Sequence, residues 1–221
     1  MFTTAIFDMD GLLLDSERPT REVWKKIITD QGLVFDHAFY LTAVGLNMTD
    51  TRILFREHYG AGFDYDDTLM QVRGLLDSHE DGYAVMPGVG ELLAELALRG
   101  IVSGVASSTG IERVGKRLEK SGLSKHFFAL TGGNEVKRGK PAPDIFLLAA
   151  ERLGVNPANC LVFEDSSHGA MGALEAGMGV VVVPDLKPPT DDIERRALRV
   201  LDSLTDSLEF LDQWFCPSRQ G

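Results

Sequence analysis

Residues 5–11 read AIFDMDG, a short apolar run that ends in two carboxylates and a glycine. Such a run is typical of a buried strand, so we expect the acids to emerge at its C-terminal end. Ligands of open α/β sheets bind at that edge. Because alternate side chains of an extended chain share a face, Asp8 and Asp10 are expected to converge on one site. Two adjacent carboxylates repel each other unless a cation or a shared proton relieves them, so the stretch predicts a metal and chemistry.

The spacing of apolar residues changes along the chain. Residues 17–84 show helical spacing only, whereas strand and helix patterns alternate from Pro87 onward. The alternation predicts a parallel sheet with helices on both faces. We therefore expect an α/β protein, with a Rossmann-like doubly wound core formed by residues 1–15 and 86–221. Residues 16–85 are expected to form an inserted all-helical domain, placed to act as a lid, and the alternative is one domain with a rigid helical flap.

Charge and composition limit the classes of partner. The chain has 221 residues and a formal net charge of −11, whereas nucleic-acid binding generally needs a basic face, so no nucleic-acid partner is expected. No stretch approaches the ~20 apolar residues of a membrane helix, and no secretory signal opens the chain. These features predict a cytoplasmic protein without a membrane partner. An acidic protein can still bind an anionic substrate where a metal and a few placed cations reverse the local field.

Three further predicted strand ends carry polar groups. Ser107 and Ser108 precede a helix, where hydroxyls and free backbone N–H groups form either an anion site or an ordinary helix cap. Lys140 precedes a Pro-Ala-Pro stretch that stiffens its backbone. Glu164 and Asp165 form a second acid pair, and hard oxygen ligands of this kind suit Mg²⁺. Each group alone has a plain structural explanation, but together they fit phosphoryl transfer.

In this order, residues 8–11, 106–108, 140–141 and 164–165 resemble the four motifs of the haloacid dehalogenase superfamily. The helical insert resembles the class I cap of that superfamily. Stretches 7–17, 139–146 and 163–166 resemble its β-phosphoglucomutase-like branch, which includes sugar-phosphate and pseudouridine-phosphate phosphatases.

The resemblance implies a role for each matched residue. Asp8 would attack phosphorus and form an aspartyl-phosphate, while Asp10 would protonate the leaving alkoxide and then accept a proton from water. Mg²⁺ would be held by Asp8, Asp10 through its backbone carbonyl, Glu164 and Asp165, and the phosphoryl group would contact Ser107, Ser108 and Lys140. Asp10 separates phosphatases and phosphomutases from the dehalogenases of the superfamily, which lack this aspartate.

The expected function is Mg²⁺-dependent hydrolysis of a small phosphorylated metabolite, such as a sugar phosphate or a nucleoside monophosphate. A β-phosphoglucomutase-type sugar phosphomutase is an alternative. However, Met48, Gly110-Ile111 and Thr20 stand where such a mutase has an arginine, a lysine-asparagine pair and a histidine. A non-catalytic sugar-phosphate-binding or signalling protein is the other alternative.

Substrate contacts from the insert are harder to predict. Arg18, Asn47 and Arg52 are candidates, although each is equally compatible with a solvent-exposed role. A monomer is expected for a capped enzyme of this size. The sequence does not indicate which metabolite is bound.

Overall fold

The computed structural model describes residues 1–44, 46, 48–77 and 82–215, with the side chain of residue 77 excepted. The chain forms two compact units. The core unit comprises Met1–Asp15 and Tyr83–Gly221, and the helical unit comprises Ser16–Gly82.

The core unit is built on a six-stranded sheet whose neighbouring strands are all parallel. Its strands are β1 (Thr4–Phe7), β2 (Val102–Ser107), β3 (Ala129–Gly132), β4 (Cys160–Glu164), β5 (Gly179–Val182) and β6 (Arg199–Val200). The strand order is β3-β2-β1-β4-β5-β6, so the chain reverses its direction of winding between β1 and β4. Ligands of open α/β sheets bind in the crevice at such a switch point. The predicted doubly wound parallel sheet is confirmed.

The helical unit contains α1 (Glu17–Asp30), α2 (His37–Ala43), α3 (Met48–Tyr59) and α4 (Tyr65–Asp77). Helix α1 buries Trp24, Ile27 and Ile28, which the 3.6-residue period places on one face. The Trp24 ring packs against Phe55 at 4.9 Å and against Tyr65 at 5.8 Å between ring centroids. Aromatic rings from three helices therefore form the unit's own core.

Helices cover both faces of the sheet: α5 (Val89–Leu98), α6 (Ile111–Lys120), α7 (Asp144–Leu153), α8 (Ser167–Glu175), α9 (Asp191–Arg196) and α10 (Leu211–Trp214). After Thr4, strand β1 is apolar because Ala5 and Phe7 face one hydrophobic cluster and Ile6 faces the other. The ring of Phe7 stacks on Phe163 of β4 at 4.9 Å. Among the described residues, none of the helices has the length and apolar character that a membrane crossing requires.

Two short segments connect the sheet to the helical unit, and they pair with each other. The Asp15 N–H donates to the Ala84 carbonyl at 2.8 Å, and the Met86 N–H donates to the Leu13 carbonyl at 3.0 Å. Leu14 and Val85 form an antiparallel bridge between these bonds. We call residues 13–15 and 84–86 the paired linkers.

Candidate active site

The candidate site lies where β1, β2 and β4 end. Asp8 directly follows β1, and its N–H donates to the Phe163 carbonyl at 3.0 Å, so the chain stays extended beside β4. Glu164 is the last residue of β4, and Ser107 is the last residue of β2. Because parallel strands end at the same sheet edge, residues far apart in sequence meet there.

Lys140 joins the two buried acids. Its ammonium lies 2.5 Å from Asp8 Oδ1 and 2.6 Å from Glu164 Oε1. Lys140 is 9% exposed, Asp8 6% and Glu164 0%. The ammonium also lies 5.0 Å from the centre of the Phe146 ring. Buried charges are tolerated only when they are paired, so the loop before α7 supplies the cation that these carboxylates require.

This cluster contains more carboxyl groups than one lysine can neutralise. Burial raises the pKa of Asp8 to about 8; Lys140 opposes this shift, and Glu164 and Asp10 add to it. Burial also acts to lower the pKa of Lys140, but Asp8 and Glu164 raise it above the ordinary lysine value. The lysine is therefore charged, and the excess of carboxylate favours binding of a further cation.

Glu164 is held in place by the start of α8. Its Oε2 accepts bonds from the Ser166 N–H and the Ser166 hydroxyl, both at 2.9 Å. The same hydroxyl oxygen accepts the Gly169 N–H at 3.1 Å and so caps the helix. A Cβ at position 169 would lie 1.7 Å from Glu164 Oε1, so only glycine leaves room for this carboxylate.

Three carboxylates form a cluster that could hold a metal ion. One oxygen from each of Asp8, Glu164 and Asp165 lies within 4.8 Å of the others. Asp8 and Glu164 are buried, and Asp165 is half-buried. Hard oxygen donors grouped in this way fit Mg²⁺.

Asp10 lies beside this cluster, and donors from the end of β2 and from α6 contact both of its carboxylate oxygens. Its Oδ2 accepts the hydroxyls of Thr109 at 2.7 Å and Ser107 at 3.2 Å, and its Oδ1 lies 2.5 Å from Arg117 Nη1. The sequence predicts neither of the contacts that Thr109 and Arg117 make with Asp10. Thr109 adjoins the predicted Ser107-Ser108 pair, whereas nothing in the helical pattern marks Arg117, which lies in the last turn of α6.

The two serines of the β2 end differ in position. Ser107 is fully buried, and its oxygen also accepts the Thr109 N–H at 3.1 Å. Ser108 is exposed. A phosphate contact from either serine stays a prediction.

The candidate substrate contacts of the insert belong to the helical unit. Arg18 is exposed on α1. Arg52 on α3 forms an ion pair with Asp66, with Nη2 to Oδ1 at 2.7 Å. Asn47 lies outside the described residues.

Comparisons with known proteins agree with this geometry. A family model described as haloacid dehalogenase-like hydrolase matches residues 2–177. A probable pseudouridine-5'-phosphatase of Drosophila melanogaster is 35% identical over 210 residues, which cover 92% of this chain and 90% of the relative. The fructose-1-phosphate phosphatase YqaB of Escherichia coli is 35% identical over 193 residues, which cover 80% of this chain and 94% of the relative.

A solved structure has the same fold along nearly the whole chain. The putative β-phosphoglucomutase from Thermotoga maritima superposes with a TM-score of 0.76 and 27% identity, covering 96% of this chain and 99% of its own. The predicted enzyme class, a phosphoric monoester hydrolase, is confirmed by the relatives. By the family match and the relatives' identity, the chain belongs to the haloacid dehalogenase-like hydrolases.

Proposed function

We propose that this protein is a Mg²⁺-dependent phosphatase that hydrolyses a small phosphorylated metabolite through an aspartyl-phosphate on Asp8. The observation that carries the proposal is the buried cluster in which Asp8 shares Lys140 with Glu164 and lies beside Asp165. This cluster combines a carboxylate nucleophile with a fixed cation and a set of hard oxygen donors. The names of the relatives point to sugar phosphates and nucleoside monophosphates as the substrate class.

The reaction divides into two displacements at phosphorus. In the first, an Asp8 oxygen forms a bond to phosphorus, the bond to the alkoxide breaks, and Asp10 gives that alkoxide a proton. In the second, water attacks phosphorus, Asp10 takes the proton, and the bond to Asp8 breaks to release phosphate. Splitting one difficult displacement in this way is the benefit of covalent catalysis. A positioned acid and base contributes ~10²–10⁴-fold to such steps.

The remaining groups stabilise charge. Lys140 already faces the Asp8 carboxylate, so it offsets negative charge as the phosphoryl group arrives. Asp8, the Asp10 backbone carbonyl, Glu164 and Asp165 would hold Mg²⁺, with Glu164 binding directly or through water. The ion would neutralise the phosphoryl oxygens.

The helical unit supplies the cap in this proposal and selects the substrate. Arg18, Asn47 and Arg52 are proposed to contribute to that selection. The pairing of Arg52 with Asp66 means that its use in binding would require this pair to open.

Incubation with a panel of phosphorylated metabolites tests the proposed function. We expect phosphate release from sugar phosphates or nucleoside monophosphates, dependent on added Mg²⁺ and abolished by EDTA. Acid quenching during turnover should trap a phosphorylated chain, and mass spectrometry should place the phosphate on Asp8. A phosphate on a histidine or serine, or turnover that persists in EDTA, would contradict the mechanism.

The same panel tests the phosphomutase alternative, which the solved structure from Thermotoga maritima favours. A mutase would convert a sugar 1-phosphate to its 6-phosphate in the presence of the bisphosphate, with little phosphate released. We expect the opposite result, with phosphate as the main product.

Gly169→Ala is expected to weaken Mg²⁺ binding. The new Cβ would displace the Glu164 carboxylate from its bonds to Lys140 and Ser166. Loss of such supporting contacts typically reduces metal affinity or activity ~10–100-fold, and calorimetric titration with Mg²⁺ measures the affinity. Gly90→Ala is the control, because a Cβ there meets nothing within 4 Å. Equal Mg²⁺ affinities for the two variants would mean that Glu164 is not part of the metal site.

A further inference from the structure

Asp10 is held at both of its oxygens, and one of these contacts is an ion pair. The two hydroxyl donors to Oδ2 come from the end of β2 and the start of the following loop, whereas the guanidinium on Oδ1 comes from α6. The side chains of Arg117 and Asp10 are 18% and 20% exposed, so water screens this pair only in part. The pair with Arg117 therefore constrains the orientation of Asp10 more strongly than an ordinary surface ion pair would.

Arg117 is itself anchored by Tyr83, which directly precedes the second of the paired linkers. The guanidinium carbon lies 4.8 Å from the centre of the Tyr83 ring, and Nη2 lies 3.4 Å from the Tyr83 hydroxyl oxygen. A cation over an aromatic face is attracted by the ring quadrupole. The ring thus limits where the guanidinium, and with it the Asp10 carboxylate, can move.

Asp10 must act twice in the proposed mechanism, first as an acid toward the leaving alkoxide and then as a base toward water. A displacement of about 1 Å in a catalytic group can reduce the rate ~10²-fold. We propose that Arg117 is a positioning residue that holds the Asp10 carboxylate in the orientation that both steps need. Tyr83 in turn holds the Arg117 guanidinium in place. This inference rests on the proposed function.

Arg117→Met, assayed with p-nitrophenyl phosphate, tests the inference. p-Nitrophenolate leaves without needing a proton, so formation of the aspartyl-phosphate does not depend on the aim of Asp10. Hydrolysis of the aspartyl-phosphate does depend on it, because Asp10 must accept a proton from water. We therefore expect a rapid burst approaching one p-nitrophenolate per active site, followed by steady-state turnover ~10–100-fold slower than in the wild type.

The ratio of the burst rate to the steady-state rate does not depend on how much of the protein is folded, because an unfolded fraction lowers both equally. For p-nitrophenyl phosphate, kcat/KM should stay within about twofold of the wild-type value, since it reports binding and the first displacement only, and KM should fall together with kcat. For an alkyl phosphate, which needs the acid as well, kcat should fall at least as far. Arg117→Lys should restore part of the rate, and Tyr83→Leu should give a smaller change in the same direction.

Lys116→Met is the matched control, because it removes one exposed positive charge from the same helix. It should leave both the burst ratio and kcat unchanged. The inference is overturned if Arg117→Met keeps the wild-type burst ratio and kcat, or if only KM rises, which would make Arg117 a substrate-binding residue. A wild-type protein without phosphatase activity, or an Asp10→Asn variant with full turnover, would instead refute the proposed function.

Discussion

Asp8→Asn is expected to reduce phosphate release by about four orders of magnitude or more, because an amide does not attack phosphorus. The change is nearly isosteric, and Lys140 keeps Glu164 as a partner at 2.6 Å, so the site should stay assembled. Measured phosphate release with Mg²⁺, and the absence of a phosphorylated chain after acid quenching, would check the result. A variant with appreciable turnover would show that Asp8 is not the nucleophile.

The same substitution should make the metal-free protein more stable at pH 8. Burial raises the pKa of Asp8 to about 8, whereas an aspartate in the unfolded chain titrates near ~4. Because the folded pKa lies above the unfolded one, Asp8 lowers the free energy of unfolding as pH rises from about 4 to about 8. The full loss of stability is present above the folded pKa. The gain in melting temperature should therefore be several degrees at pH 8 in EDTA and should vanish near pH 4.

With Mg²⁺ present, the wild type should instead be more stable than Asp8→Asn. In the proposed function the ion binds the folded wild type and should raise its melting temperature by mass action, whereas Asp8→Asn would lack one of the proposed ligands. Asp202→Asn removes an exposed carboxylate and serves as the control. Thermal unfolding with and without Mg²⁺ measures both effects. A wild type more stable than Asp8→Asn at pH 8 in EDTA would mean that the buried Asp8 carboxylate does not destabilise the fold.

Lys140→Met is expected to be the most destabilising of the substitutions considered. It leaves Asp8 and Glu164 buried without their cation, and breaking a buried pair from one side typically costs about 3–5 kcal/mol. For a chain of this size the loss corresponds to a fall in melting temperature of roughly 10 °C. Turnover should fall as well, because Lys140 no longer offsets charge on the phosphoryl group.

Two comparisons make this prediction specific. Lys137→Met removes an exposed lysine from the same loop and should change the melting temperature little. Added Mg²⁺ should restore part of the stability of Lys140→Met, since a second cation then faces the carboxylates. An unchanged melting temperature for Lys140→Met in EDTA would show that the buried acids are neutral without the lysine.

The central parts of the fold and site follow from rules that act over short stretches of sequence. An apolar run followed by acids predicts a buried strand with a polar end, and parallel strands bring such ends to one edge. For this reason the predicted neighbourhood of Asp8, Lys140, Glu164 and Asp165 matches the structure. Helix α7 begins at Asp144, directly after the Pro-Ala-Pro stretch that follows Lys140.

Other features depend on packing that local patterns do not encode. Strand β6 is two exposed residues at the sheet edge, so it carries no apolar signal. Arg117 has the appearance of any polar helix residue, and only the tertiary fold brings it to Asp10. The need for glycine at position 169 arises from a carboxylate on the preceding strand, which no helix propensity reveals.

The paired linkers have a consequence for how this protein can change over evolutionary time. Because the chain leaves and re-enters the sheet side by side, with Leu14 bridged to Val85, the helical unit is attached through a two-stranded stem. Sequence inserted or exchanged beyond that stem leaves the strand ends where they are. Because the proposed function assigns substrate selection to this unit, such an arrangement would allow new substrate preferences to be acquired by exchanging one module, while the dephosphorylating machinery is inherited intact.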